Sequence, residues 1–236
     1  MAIRSKKYTI SLLILAVAVT CAVNSERTAA REKATAAGAL YRGGTVVIDA
    51  GHGGEDGGAV SVTGRVESNI NLQIALRLDQ LFGLYGVKTV LLRTEDVSLH
   101  EDGAVTLREK KVSDLRRRVE LTQQVNGAVL ISIHQNTYPG SSSHGAQVFY
   151  GAANGSENLA RRMRETLLCL ADPENRREVS PVPEHVYLMK HVTCPAVLVE
   201  CGFLSNPQEE QKLLSDSYQI KLSAALCSAY LQESRE

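Results

Sequence analysis

Short apolar runs alternate with longer amphipathic stretches along most of the chain. Strands are predicted where β-branched and other apolar residues follow one another, at 45–49, 88–92, 128–133, 145–150 and 196–199. Helices are predicted where apolar residues recur at helical spacing, at 67–84, 112–125, 157–170, from 208 onward and at 217–231. This alternation is typical of an α/β fold, and we expect a single, mostly parallel, twisted sheet of five or six strands with helices on both faces.

The N-terminal segment has a different pattern. Arg4, Lys6 and Lys7 precede an uncharged run over 8–25 whose centre is almost wholly apolar. A basic segment followed by such a run is typical of export, although the apolar part is shorter than the roughly 20 residues of a membrane-spanning helix. We therefore expect an exported, extracytoplasmic protein that is either secreted or associated with the membrane through this segment alone.

The same change of pattern defines the predicted domains. Residues 1–25 are expected to be a signal peptide or a short membrane anchor, and residues 26–43 a polar, Ala-rich linker. Residues 44–232 are expected to form one catalytic domain. Targeting is then expected from the N-terminal segment or from an accessory protein.

The overall charge gives no reason to expect a nucleic-acid ligand. Lys plus Arg and Asp plus Glu each number 26, so the formal net charge is zero. Trp is absent and aromatic residues make up 5%, which argues weakly against a platform of stacked rings for carbohydrate or single strands. The substrate therefore has to be inferred from a local site.

Cysteines are not expected to bind metal. The chain has five, of which Cys21 lies in the export segment. The others have apolar neighbours and form no CxxC pair: Cys169, Cys194, Cys201 and Cys227. Small buried thiols are the expected state, with disulfides as the alternative.

Two predicted strands are followed by a histidine. His52 comes after the first strand in the segment DAGHGG, and His134 comes after the 128–133 strand in ISIHQN. Because the carboxyl ends of parallel strands meet at one edge of a sheet, we expect the two imidazoles to lie close together. Glu67 begins the first predicted helix, and two histidines with one carboxylate match the three-ligand pattern of catalytic Zn²⁺. Each residue has an ordinary alternative, since glycines also serve tight turns and a carboxylate at a helix start complements the helix dipole.

A carboxylate follows a third apolar strand. Glu200 comes after Val-Leu-Val in the segment VLVECGFLSNP. Burial of a carboxylate is costly unless it is paired or functional, and apolar surroundings raise its pKa. We expect Glu200 to be a general base that takes a proton from the attacking water and later passes one to the departing amine.

Other polar residues lie close to these positions in the sequence. Asp49 either accepts the second N–H of a ligand histidine or ties down the loop, and Asn136 is placed to orient substrate or to support the ligands. His185 and His191 flank an apolar segment that could line a substrate groove. The arginines at 116–118 are expected on a solvated helix surface.

The chain resembles the zinc-dependent N-acetylmuramoyl-L-alanine amidases of type 3. The resemblance lies in four segments, which contain His52, Glu67, His134 and Glu200 in that order along the chain. The resemblance extends over about Val46 to Leu231. It implies His52, Glu67 and His134 as Zn²⁺ ligands, Glu200 as the catalytic carboxylate, and peptidoglycan as the substrate. The bond cleaved would join N-acetylmuramic acid to L-alanine.

Two segments, REKKVSD at 108–114 and VECGFLSNP at 199–207, look most like the germination-specific branch of that family. Members of this branch remove stem peptides from the spore cortex so that muramic-δ-lactam can form. Two alternatives stay open. One is a zinc carboxypeptidase that acts within the stem peptide, and the other is a catalytically inactive wall-binding or scaffolding protein.

Overall fold

The computed structural model describes residues 44–233, in which six strands form one sheet in the order β2-β1-β3-β6-β4-β5. The strands are β1 (Thr45–Ala50), β2 (Thr89–Leu91), β3 (Ala128–Asn136), β4 (Gln147–Tyr150), β5 (Ser180–Pro181) and β6 (Ala196–Phe203). The pairs within β2-β1-β3-β6 are parallel, β4 is antiparallel to β6, and β5 is parallel to β4. The prediction of one mostly parallel sheet is confirmed.

Helices separate most of the strands along the chain. They are α1 (Glu67–Leu84), α2 (Leu107–Gln123), α3 (Ser156–Leu170), α4 (Tyr187–His191), α5 (Pro207–Leu213) and α6 (Asp216–Glu233). Apart from Leu84–Gly86, the described residues belong to one compact unit.

The central strands are buried on both faces, which explains why they read as nearly continuous apolar runs. On one face, Val47, Leu130 and Leu198 pack in a cluster with residues of α2 and α4. On the other face α6 packs against both α3 and α1, and the ring of Phe82 in α1 meets that of Tyr230 in α6 at 5.3 Å.

The strand order creates a switch point between β1 and β3. The chain leaves β1 through α1 to reach β2 on one side, and then returns through α2 to β3 on the other side. Right-handed crossovers in opposite directions place the two helices on opposite faces, and a crevice opens where their directions diverge. His52 and His134 lie at the carboxyl ends of these two strands.

Several element boundaries differ from the prediction. Helix α2 begins at Leu107 rather than near residue 112, because Thr106 and Glu109 form a capping box at its start. Strands β3 and β6 run on past their apolar residues, so His134 and Glu200 lie within the paired strands and stand opposite each other in register. The short elements β5 and α4 were not predicted, since neither has enough residues to show a period.

The four cysteines of the described residues are all free. Cys201 and Cys227 are buried and Cys194 is half-buried, as expected for thiols with apolar neighbours. The expectation of burial is wrong for Cys169, which is exposed near the end of α3.

The predicted signal or anchor at 1–25 and the linker at 26–43 lie outside the described residues. Within 44–233, no helix combines the length and the apolar character needed to cross a membrane.

Candidate metal centre

Three separate elements bring His52, Glu67 and His134 together. His52 lies just after β1, Glu67 is the first residue of α1, and His134 lies near the end of β3. One potential ligand atom from each residue lies within 4.8 Å of the others. His52 Nε2 is 3.4 Å from Glu67 Oε2, and His134 Nδ1 is 3.1 Å from Glu67 Oε1. Among the described residues, this group has the composition and spacing to hold a metal ion.

Glycines allow these side chains to approach so closely. A Cβ on Gly51 would lie 2.2 Å from His134 Cε1 and Nε2, and a Cβ on Gly58 would lie 2.5 Å from Glu67 Oε2. His52 itself adopts the left-handed backbone conformation, with φ 62°. The DAGHGG segment is therefore needed for close approach as well as for a turn.

Glu67 is held rigidly on both carboxylate oxygens. Oε2 accepts a hydrogen bond from the Ala59 amide at 2.8 Å, and Oε1 accepts bonds from the Gln135 amide at 3.0 Å and the Asn71 side chain at 3.1 Å. Burial by itself would raise the pKa of Glu67, but the hydrogen bond from His134 and the charges of both histidines lower it to about 2. Glu67 is therefore ionised at neutral pH, as a metal ligand must be.

Asp56 fixes the ring of His52 from the other side. Its Oδ2 lies 3.1 Å from His52 Nδ1, which leaves Nε2 pointing toward Glu67. The hydrogen bond with His52 holds the pKa of Asp56 below its usual range. A carboxylate in this position orients a ligand histidine and selects its tautomer. Asp56 is not among the residues predicted for the site, although its position four residues after His52 is visible in the sequence.

Glu200 stands directly across from His134 in the β3–β6 pairing. Its Oε2 atom is buried and has no hydrogen-bond partner among the described residues. Burial raises the pKa of Glu200 to about 7, and the nearby Glu67 charge adds to that effect while His134 opposes it. A carboxyl group of this kind can exchange a proton near neutral pH.

Asp49 contacts a buried arginine instead of a ligand histidine. Its carboxylate forms an ion pair with Arg118 Nη1 and accepts a hydrogen bond from Ser132 Oγ at 2.6 Å. Burial opposes ionisation, but the charge of Arg118 keeps the pKa of Asp49 below its usual value. Of the two roles predicted for Asp49, these contacts favour anchoring of the loop.

Arg118 is buried, so the prediction that it lies on a solvated surface is wrong. Its side chain is 2% exposed, because α2 turns it toward the sheet, where it also pairs with Asp114 at 2.6 Å. It donates to the carbonyl of Ala50 at 2.9 Å and to that of His52 at 2.7 Å. The spacing of Asp114 and Arg118, four residues apart on one helix, could have indicated the pair.

Arg93 holds the same loop from the other side. It donates to the carbonyls of Ala50, Gly51 and Ser68 at 2.8, 3.1 and 2.8 Å. Two buried guanidinium groups thus satisfy successive carbonyls at the end of β1, where the strand can no longer pair.

A groove of about 300 Å³ runs from these residues between α2 and α4. His52, His134 and Glu200 line one end, and His185 and Tyr187 line the wall formed by the approach to α4. His185 therefore lies where a substrate contact was expected. His191 is instead stacked on Tyr187, with ring centroids 3.8 Å apart.

Asn136 is the last residue of β3. Its side-chain oxygen accepts a hydrogen bond from the Thr137 amide at 2.8 Å. A substrate contact by Asn136 stays a prediction.

A family model described as N-acetylmuramoyl-L-alanine amidase matches residues 46–231. The match includes all the residues of the centre. The chain belongs to the N-acetylmuramoyl-L-alanine amidase family. The resemblance inferred from the four segments is confirmed, as is the predicted class of enzyme.

Two relatives match this amidase over most of its length and most of their own. The germination-specific N-acetylmuramoyl-L-alanine amidase of Bacillus subtilis is 34% identical over 189 residues, which are 79% of this chain and 78% of the relative. The CwlD amidase from Clostridioides difficile, solved in complex with the GerS lipoprotein, is 36% identical with a TM-score of 0.77 and covers 80% of this chain and 98% of that one.

A third relative is a larger protein. The amidase LytC of Bacillus subtilis is 28% identical over 78% of this chain but only 34% of its own length. The match to LytC is therefore confined to about a third of that protein.

Proposed function

We propose that this amidase is a zinc hydrolase that cleaves the amide bond between N-acetylmuramic acid and L-alanine in peptidoglycan. His52, Glu67 and His134 would hold Zn²⁺, and Glu200 would be the catalytic carboxylate. The observation that carries the proposal is the buried, unpaired oxygen of Glu200 directly across from a His-Glu-His group.

The donor set fits zinc. Two imidazole nitrogens and one carboxylate oxygen form a ligand set found in catalytic zinc sites. Ligand atoms about 2.0–2.1 Å from a tetrahedral ion stand about 3.4 Å from one another. Each histidine lies near that spacing from one oxygen of Glu67, His52 Nε2 at 3.4 Å from Oε2 and His134 Nδ1 at 3.1 Å from Oε1.

Glu200 supplies the proton transfers that amide hydrolysis needs. When bound, the zinc ion would act as a Lewis acid toward the amide carbonyl and make a water molecule more acidic. Glu200 takes a proton from the attacking water as the new C–O bond forms. It then delivers that proton to the alanine nitrogen as the C–N bond breaks, which leaves a lactyl carboxylate on the sugar and a free amine on the peptide.

Asp56 and the Arg118 network hold His52 still throughout, so the ligands need no rearrangement.

The spore cortex is the proposed form of the substrate, and removal of its stem peptides would be a step toward muramic-δ-lactam formation and germination. Support comes from the germination-specific relative in Bacillus subtilis and from the segment REKKVSD at 108–114. This substrate requires an extracytoplasmic location, in agreement with the export pattern of residues 1–25.

An accessory protein is proposed as a partner for targeting or for completing the metal site. Support comes from the CwlD amidase, whose structure was determined in complex with a lipoprotein. Zinc content of the isolated chain after dialysis tests the second role. A full equivalent of tightly held zinc would leave targeting as the accessory role.

Glu200→Gln tests the mechanism. The amide keeps the size of the side chain but cannot accept the proton, so peptide release from purified cortex is expected to fall by at least about 100-fold while zinc content is unchanged. Glu174→Gln is the matched control. Glu174 is 85% exposed, and its ion-pair partner among the described residues is Arg176. Retained turnover in Glu200→Gln would contradict the assignment.

Mass spectrometry of the fragments separates the remaining alternatives. The proposed reaction yields peptides that begin with a free L-alanine amine, and saccharides with a free lactyl carboxylate. A carboxypeptidase would instead shorten the stem from its other end. A scaffolding protein would release nothing, with or without zinc.

A further inference from the structure

The groove beside the metal centre has an unusual charge distribution. The side chains that line it include four carboxylates, those of Asp49, Asp56, Asp114 and Glu200. Its lining lysines and arginines are Lys111 and Arg118. An anionic part of a substrate could enter such a groove only beside a cation that is free to receive it.

Arg118 is not free to receive a ligand. Its side chain is 2% exposed and is engaged by Asp49 and Asp114, and it also donates to the carbonyls of Ala50 and His52. Its guanidinium is thus saturated with protein acceptors.

Lys111, in contrast to Arg118, has an exposed ammonium group that can receive a ligand. Its side chain is 54% exposed, and its Nζ lies 3.2 Å from Asp56 Oδ2. Asp56 also engages the ring of His52, at 3.1 Å. Because an ammonium group carries three N–H donors, Lys111 can keep this contact and still donate to a second carboxylate.

Lys111 lines the same groove as His52, His134 and Glu200, and its ammonium is linked through Asp56 to the Nδ1 side of the His52 ring. One residue of extended peptide spans about 3.3–3.6 Å, so a group one residue beyond the scissile bond would still lie within this groove of about 300 Å³. In a peptidoglycan stem the residue after L-alanine is a D-glutamyl residue, whose α-carboxyl group is either free or amidated. A free α-carboxylate at that position is an anion that would need a cation in this groove.

We propose that Lys111 forms the subsite for the α-carboxylate of the second stem residue, so that this amidase selects stems in which that group is free. The proposal rests on the proposed function, since it takes the orientation of the stem from the amide bond being cut at the His-Glu-His centre. The groove between α2 and α4 would then hold the peptide side of the substrate.

The test compares two muramoyl-peptide fragments that differ only in this group, one with a free D-glutamyl α-carboxylate and one with the amide. The zinc-loaded full chain is expected to have the lower KM for the free acid. Lys111→Met is expected to raise KM for the acid by about tenfold or more and to leave KM for the amide nearly unchanged, because only the acid loses a charge-assisted hydrogen bond. Lys111→Arg is expected to keep the preference, since it keeps the charge.

Lys110→Met is the matched control. Lys110 is the neighbouring residue on the same helix and pairs with Glu55 at 2.7 Å much as Lys111 pairs with Asp56, but it does not line the groove of the metal centre. This variant is expected to keep the preference for the acid.

Two results would overturn the subsite. One is an equal loss on both fragments in Lys111→Met, which would mean that Lys111 acts only by supporting Asp56 and His52. The other is an unchanged KM for the acid in that variant. If the wild-type chain cleaves neither fragment nor cortex, the proposed function itself fails, and the subsite fails with it.

Discussion

At the scale of single residues, Glu200 is a carboxyl group whose surroundings raise its pKa into the neutral range. Its pKa is raised from 4.5 to about 7 mainly by burial, so in the metal-free protein the folded state binds a proton that the unfolded state has already released between those pH values. Stability should therefore fall as pH rises from 4.5 to about 7.

Replacement of Glu200 by Gln removes this dependence. In the presence of a chelator, Glu200→Gln is expected to be more stable than wild type at pH 8 by up to about 3 kcal/mol, and close to wild type at pH 4.5. Urea unfolding at the two pH values measures the difference. Equal pH dependence of the two proteins would show that the carboxyl group is not perturbed.

Gly51 is needed because the space beside it is filled by the ring of His134. A Cβ at this position meets the ring of His134 at 2.2 Å, so Gly51→Ala is expected to displace a metal ligand and to lower kcat/KM by about 100-fold. Zinc affinity, measured by chelator competition, should fall in parallel.

Gly83→Ala is the matched control for this change. Gly83 lies in α1, and a Cβ there meets nothing within 4 Å. The variant is expected to keep full activity and to gain roughly 0.5–1 kcal/mol of stability, because alanine loses less conformational freedom in a helix. Equal activity of Gly51→Ala and Gly83→Ala would contradict the steric argument.

At the level of elements, Arg118 connects α2 to the end of β1. Without it, the carboxylate of Asp49 would be left buried at 1% exposure with only Ser132 as a partner. Arg118→Met is therefore expected to lower the free energy of unfolding by about 3–5 kcal/mol, the usual cost of breaking a buried pair by removing one partner. Denaturant unfolding of the metal-free protein measures this loss.

A second substitution separates the charge effect from the loss of packing. Asp49→Asn combined with Arg118→Met removes both charges, and it should recover part of the stability that Arg118→Met loses. No recovery in the double variant would mean that the effect comes from the remaining contacts of Arg118, which are its ion pair with Asp114 and its hydrogen bonds to the carbonyls of Ala50 and His52.

For the whole molecule, a bound metal would connect parts of the chain that are distant in sequence. His52, Glu67 and His134 follow β1, begin α1 and lie in β3, so the unfolded chain cannot present them together. Zinc at about 1,000 times its dissociation constant should stabilise the fold by about 4 kcal/mol. For a domain of this size, Tm should rise by roughly 8–16 °C.

Calorimetry with added zinc and with a chelator measures this shift, and His134→Ala should abolish it. A Tm that is the same with zinc and with chelator would mean that the isolated chain does not bind the metal, and would favour completion of the site by an accessory protein.

Long helices are easier to predict from the sequence than strand ends and short elements. Helix α1 was predicted with both ends correct, because its apolar stripe is long and Glu67 marks its start. The extensions of β3 and β6 were missed because His134 and Glu200 are polar, and polar residues end an apolar run even where backbone pairing continues. Elements as short as β5 carry no periodic signal at all.

The sequence by itself determined which reactive side chains follow the central strands. His52, His134 and Glu200 were identifiable because each follows an apolar run that must become a buried strand, and parallel strands bring their carboxyl ends to one edge. The tertiary structure alone decided the contacts that hold and surround those residues. Asp56, Arg118 and Lys111 look like ordinary surface charges in the sequence, because burial and pairing depend on which face of α2 meets the sheet and on how the loop after β1 folds back.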